Sequence, residues 1–248
     1  MLAEATNPII RWEYLVDEWD QIQTALVQHI QLTLLAVALG LVVAAALSAA
    51  ALRYRWAASP ITTFTAFVYT IPSVALFGLL VPYTGVSTTT AVIPLVGYTL
   101  LVLVTSILTG FRSVPASVRD AAEGMGLSPT RRVLTVELPL AVPYIVTGIR
   151  VATVTTVGLV TVAAIIGEGG LGRLILDGLR RTFWTPMTVG ASLSIILALL
   201  LDLSIWSIGR ALTPWARGRP SRGRSRTGAD GRAPAGGALA AHAQVGAG

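Results

Sequence analysis

Few residues in this chain carry the side chains that ordinary active-site chemistry uses. There is no Cys, which rules out a thiolate nucleophile, a thiolate metal site and a disulfide. The two histidines, His29 and His242, lie far apart in sequence, and no His-based metal centre is expected. All 18 basic residues are Arg, so the Lys with which a phosphate-binding loop reaches the β- and γ-phosphates is missing. If ATP drives this protein, another polypeptide must bind it. Residues 167–172 (Gly-Glu-Gly-Gly-Leu-Gly) fit the dinucleotide fingerprint literally, but they follow an apolar helical run and not a strand. A flexible, tightly packed turn built on Gly167, Gly169, Gly170 and Gly172 suits them better. Two isolated charges remain. Arg150 and Asp202 sit within or near long apolar runs, where charge is costly; they could pair, snorkel separately to a membrane surface, or contact a solute.

The elements that must position these residues are written in the hydropathy. The 248 residues are 54% hydrophobic and 12% charged, and the charges cluster in blocks between apolar runs. A soluble domain would scatter them over its surface, so the pattern reads as an all-α integral membrane protein. Five segments reach the ~20 residues that a ~30 Å hydrocarbon core demands: residues 26–52, 61–81, 91–110, 144–166 and 187–209. Spans of this length are helices, not the roughly ten-residue strands of a barrel.

Loop charge orients them. Arg53 and Arg55 follow the first span, Arg112, Arg119, Arg131 and Arg132 follow the third, and a run of Arg follows the fifth. Alternating helices put these regions on one side, which the positive-inside rule makes cytoplasmic. Residues 1–20, with five acids against one Arg, and the uncharged loop 82–90 then face outside, as does the mixed loop 167–185. Glu4 stands where a basic n-region would lie, so no cleavable signal peptide is expected. Three regions follow: an extracytoplasmic interfacial segment, residues 1–25, with Trp12, Tyr14 and Trp19; a membrane domain, residues 26–212; and a basic cytoplasmic tail, residues 213–248, rich in Gly, Pro and Ala. Seven Arg lie from Arg210 to Arg232, and no aromatic residue interleaves the tail's arginines. Disorder beside anionic lipid is expected of the tail, and nucleic-acid binding is not.

The loop between the third and fourth spans is the most informative stretch. Pro115 and Ser117 start a helix, with Asp120 and Glu123 placed near its N-terminal end. Ala121 and Ala122 give it a smooth face, and Gly126 ends it. Ser128 and Pro129 begin a second helix that carries Arg131 and Arg132 outward until Leu138-Pro139 breaks it and returns the chain to the membrane.

The spacing Asp120-Ala121-Ala122, three residues, Gly126, nine residues, Val136, one residue, Leu138-Pro139 resembles the EAA loop of bacterial ABC-importer permeases, with Asp for Glu and Val for Ile. The resemblance covers roughly residues 25–210 and implies the five-helix core of the type-I importers. It further implies that residues 119–125 form a coupling helix seated on an ATP-binding subunit, with Gly126 as its turn and Leu138-Pro139 as the lever into the fourth span. No catalytic residue, metal or cofactor is expected in this chain; ATP and Mg belong to the partner. An extracytoplasmic substrate-binding protein and a second permease copy or homologue complete the assembly in a bacterial cell membrane. Pro139 to Pro143, Gly148-Ile-Arg150 and residues 167–172 look like permeases for glycine betaine, carnitine or choline, in which Ala usually stands in place of Glu168. Methionine or other amino-acid permeases share similar features.

Secondary expectations concern the remaining prolines and aromatics. Pro72 and Pro94 should kink the second and third spans. Tyr69, Tyr98, Trp184 and Trp206 could anchor at the interface or cage a quaternary ammonium group. A secondary transporter or channel working without ATP is the alternative class; it predicts inverted repeats or several buried acids, and Asp202 is the only acid inside a span. A membrane scaffold that recruits partners through its tail is a third.

Overall fold

Inside hydrocarbon a backbone must satisfy its own hydrogen bonds, and the apolar runs answer with long helices. The structure, a computed structural model, describes residues 9–216; the tail beyond Ala216 and the first eight residues lie outside the described residues. Among the described residues every regular element is helical. The helices α2 (Trp19–Arg53), α5 (Thr88–Arg112) and α10 (Trp184–Leu212), with the helical stretch Pro129–Ile166, are each long and apolar enough to cross a membrane. That stretch contains α7 (Pro129–Arg132), a π-helical turn Val133–Glu137, α8 (Leu138–Val162) and a 3₁₀ turn Ala163–Ile166.

The second span is not one helix. It divides into α3 (Arg55–Thr70) and α4 (Ser73–Thr84), bent by 92°. The expected kink at Pro72 is a full break. Pro72 disfavours the helical conformation of the residue before it, and Ile71 is extended with φ −68° and ψ 129°. The carbonyl freed at Ile71 accepts a hydrogen bond from the Tyr98 hydroxyl of α5. Pro94 lies inside α5, which continues through it without a break.

Of the spans, α5 is central: 61% of its apolar window is buried against 17% for α10. Three apolar clusters hold the helices together. Ala44, Leu103, Val104, Leu108 and Ala141 join α2, α5 and α8. Leu32, Ala36, Phe77, Leu95 and Val160 bring in α4. Ile22, Ala25, Leu174 and Leu197 tie α2 and α10 to α9 (Leu171–Arg180). Small residues let the helices approach closely, as membrane packing requires. A Cβ at Gly110 would lie 2.9 Å from the Ala141 carbonyl oxygen, and one at Gly148 would lie 2.4 Å from Ser106 Cβ.

The N-terminal segment ahead of the first long helix is shorter than the hydropathy implied. α1 (Trp12–Asp17) ends before Trp19, where α2 already begins. The Tyr14 ring meets Phe183 edge-on at 5.3 Å, and Arg11 lies over the same ring at 5.2 Å. The Arg11 amide donates to Thr185 Oγ1 at 3.0 Å, pinning the segment to the start of α10. Burial, with Glu18 nearby, pushes the Tyr14 phenol above its ordinary pKa. The opposite end also differs from expectation: Pro214–Ala216 is a 3₁₀ turn.

Candidate functional site

The loop between α5 and α8 folds as a helix, a turn and a second helix. α6 (Ala116–Gly124) starts at Pro115 with no side-chain cap. It ends in a Schellman motif: the Leu127 amide donates to the Ala122 carbonyl at 3.2 Å and the Gly126 amide to the Glu123 carbonyl at 2.9 Å. Gly126 has φ +75°, the left-handed conformation this motif asks for. Ser128 then caps α7 by accepting from the Arg131 amide at 3.4 Å, with Pro129 in the first turn. The helix occupies nearly the expected residues, but Glu123 sits at its C-terminal end and not near its start.

What holds this hairpin against the membrane helices is a buried carboxylate. Glu137 is 6% exposed and accepts from Arg132 Nε at 2.9 Å, while Arg119 Nε stands 3.7 Å from its other oxygen as an ion pair. Arg119 also donates to the Phe111 carbonyl at the end of α5, at 2.5 Å, and Arg132 reaches Glu123 at 3.3 Å. One acid thus ties α6, α7 and the entry to α8 together, with the last turn of α5 attached through Arg119. Arg132 therefore turns inward, against the expectation that it points out; Arg131 remains exposed.

Leu138-Pro139 does not break the chain. The helix passes through it, because the π-turn widens the coil where Pro139 brings no amide and would crowd the preceding turn; the Leu138 amide donates to the Val133 carbonyl. Ala122 is buried, whereas Asp120, Ala121, Gly124 and Met125 are exposed. The result is a ridge of small residues, with one acid and a Met 74% exposed, presented away from the membrane helices.

Glu137 was not among the residues singled out in the sequence. Its separation of five from Arg132 is wrong for an ordinary helical pair at i+3 or i+4, and it becomes close only through the π-turn. Arg119 is eighteen residues away, and no local rule pairs the two.

At the other end of α8, Gly167, Gly169 and Gly170 all have positive φ. A Cβ at Gly170 would meet the Ala25 carbonyl oxygen at 2.5 Å, and one at Gly172 would meet the Thr161 carbonyl oxygen at 2.3 Å. Glu168 accepts from Gln28 Nε2 at 2.5 Å, which ties the turn to α2. The buried His29 ring nitrogen Nε2 lies 3.1 Å from the Val157 carbonyl, one turn further in. Beyond the glycines the expected loop is largely the helix α9. Its apolar positions Leu171 and Leu174 are buried at helical spacing, too short a pattern for a span.

Arg150 and Asp202 are paired in bidentate fashion, Nε to Oδ1 at 2.8 Å and Nη2 to Oδ2 at 2.7 Å, so α8 and α10 are linked and neither charge snorkels alone. The four aromatics do not converge on a cage. Tyr69 and Tyr98 meet edge-on at 5.8 Å, while Trp206 lies under Arg210, twenty-two residues along α10 from Trp184.

The site is thus a short helix–turn–helix presented on one side of a bundle of long apolar helices. Residues 36–217 match the family described as binding-protein-dependent transport system inner membrane component. The chain belongs to this family and is a membrane-spanning permease subunit of an ABC importer. It is 34% identical to the osmoprotectant import permease protein OsmW of Salmonella typhimurium over 81% of this chain and 96% of that one. It is 35% identical to the choline transport system permease protein OpuBB of Bacillus subtilis over 75% of this chain and 86% of that one. Among solved structures the fold is similar to the MetNI methionine ABC transporter in inward-facing conformations, with TM-score 0.66, 21% identity, and 82% of this chain and 100% of that one covered. It is also similar to an amino acid ABC transporter crystallised with histidines, with TM-score 0.69, 15% identity, and coverage of 82% and 99%.

Proposed function

We propose that this subunit imports an osmoprotectant quaternary amine, of the glycine betaine, carnitine and choline group. The observation that carries the reading is the similarity, over most of both chains, to the permeases named for osmoprotectants and choline. The exposed ridge Asp120, Ala121, Gly124 and Met125 meets the ATP-binding subunit, which holds ATP and Mg. The lattice around Glu137 transmits its movement into α5 and α8. The loop arginines face the cytoplasm, with the N-terminus outside and the C-terminus inside, and the glycine turn at residues 167–172 faces the substrate-binding protein. Two copies, or this chain with a homologous permease, form the pathway between them.

The test is reconstitution of the chain with its ATP-binding subunit and binding protein in proteoliposomes. Uptake of radiolabelled glycine betaine, carnitine or choline should require ATP and the binding protein. Preferential uptake of methionine, or uptake that persists without the ATPase, would defeat this reading.

A further inference from the structure

The Arg150–Asp202 pair lies inside the membrane-crossing helices. Arg150 is twelve residues beyond Leu138, about 18 Å along α8, and Asp202 is ten residues before Leu212, about 15 Å along α10. The pair is not sealed by the protein around it. Their side chains are 32% and 30% exposed, and a cleft of about 430 Å³ opens beside them. Charge left facing hydrocarbon is expensive, which argues for a cleft that opens onto water.

The lining of the cleft has two parts. Thr147 and Thr155 add hydroxyls to the charges, while Val151, Val154 and Leu199 form an apolar wall. Thr147 also borders a second cleft of about 410 Å³, lined by Thr105, Ser106, Thr109 and Tyr144. Thr109 lies three residues before Arg112, at the end of α5. Hydroxyl-bearing residues without fixed charge therefore continue from the ion pair toward the end of the bundle that carries the coupling loop. Neutral hydroxyls solvate a dipolar solute without trapping it.

We propose that the Arg150–Asp202 pair is a solute site for a zwitterion, with the carboxylate of the solute on Arg150 and its cationic end facing Asp202 and the apolar wall. An internal ion pair satisfies both charges while the site is empty. A zwitterion presents one charge to each partner, so it can part them without leaving either unpaired. A cation lacking a carboxylate would strand Arg150, so choline is held less well than glycine betaine. The inference rests on the osmoprotectant reading above and narrows it.

The test uses the full chain in the reconstituted complex. Because the chain has no Cys, Thr155→Cys gives this subunit a single thiol. A water-soluble cationic thiosulfonate should label it, and glycine betaine should slow labelling several-fold while choline slows it less than two-fold. Absence of labelling in transporting vesicles, or equal protection by both solutes, overturns the site. In a second arm, Arg150→Gln with Asp202→Asn keeps a neutral hydrogen-bonded pair between α8 and α10. The ratio of glycine betaine to choline uptake should fall at least ten-fold. An unchanged ratio means that the pair only braces the helices. If the double variant fails to assemble, the labelling arm decides alone. Transport of both solutes without labelling removes the site and leaves the osmoprotectant reading standing; labelling without protection or transport removes both.

Discussion

The two turns at the ends of the helical stretch Pro129–Ile166 are held by opposite means. At the loop between α5 and α8 a Cβ on Gly126 would meet nothing within 4 Å, so that glycine serves only its left-handed φ, and charge fastens the hairpin at a distance through Glu137. At the glycine turn, Cβ atoms on Gly169 or Gly170 would collide with backbone, 2.4 Å from the Ala164 amide nitrogen or 2.5 Å from the Ala25 carbonyl oxygen. One turn stands clear of the core on a polar tether, while the other is wedged among helices. The first construction suits the proposed role of the loop, a surface that meets a partner and moves with it. A turn that fixes three helices relative to one another needs the second.

The sharpest test of the contrast is Gly170→Ala. Overpacking against backbone together with a strained φ should cost about 3 kcal/mol or more, and little assembled protein should be recovered from membranes. Near-normal assembly would show that the turn is not wedged. Glu137→Gln should come next. Losing the shared acceptor of two partly exposed arginines should cost roughly 2 kcal/mol after allowance for their solvent access. Faster protease cleavage within residues 113–128 and a lower unfolding midpoint would report it, with transport falling alongside.

Gly126→Ala should cost only about 1 kcal/mol, since backbone strain is its sole penalty. Gly126→Asn should cost less, because Asn enters the left-handed region more readily. A loss as large as that of Gly170→Ala would erase the distinction between the two turns. The smallest effect on stability belongs to Asp120→Ala on the exposed ridge. The unfolding midpoint of the purified subunit should stay where it is, while ATP-driven uptake declines.

How much of this was legible beforehand differs by feature. The loop could be read in order, because Pro115, Gly126, Ser128 and Pro129 each act within a few residues of themselves. The Glu137 lattice could not, since its closest pair depends on a π-turn and its other partner comes from a separate helix. That Arg150 and Asp202 meet, and do not snorkel separately, was decided only by the facing of α8 and α10. Pro72 announced a disturbance, but the 92° bend also reflects a carbonyl that finds its donor on Tyr98.

Sequence alone determined the membrane class, the apolar spans and the helix–turn–helix of the loop, because hydropathy and turn chemistry act over one helix length or less. Tertiary structure decided that the second span is two helices, that residues 171–180 fold as α9, and which charges meet. Those outcomes depend on the rotation and separation of helices far apart in the chain, which no local pattern encodes.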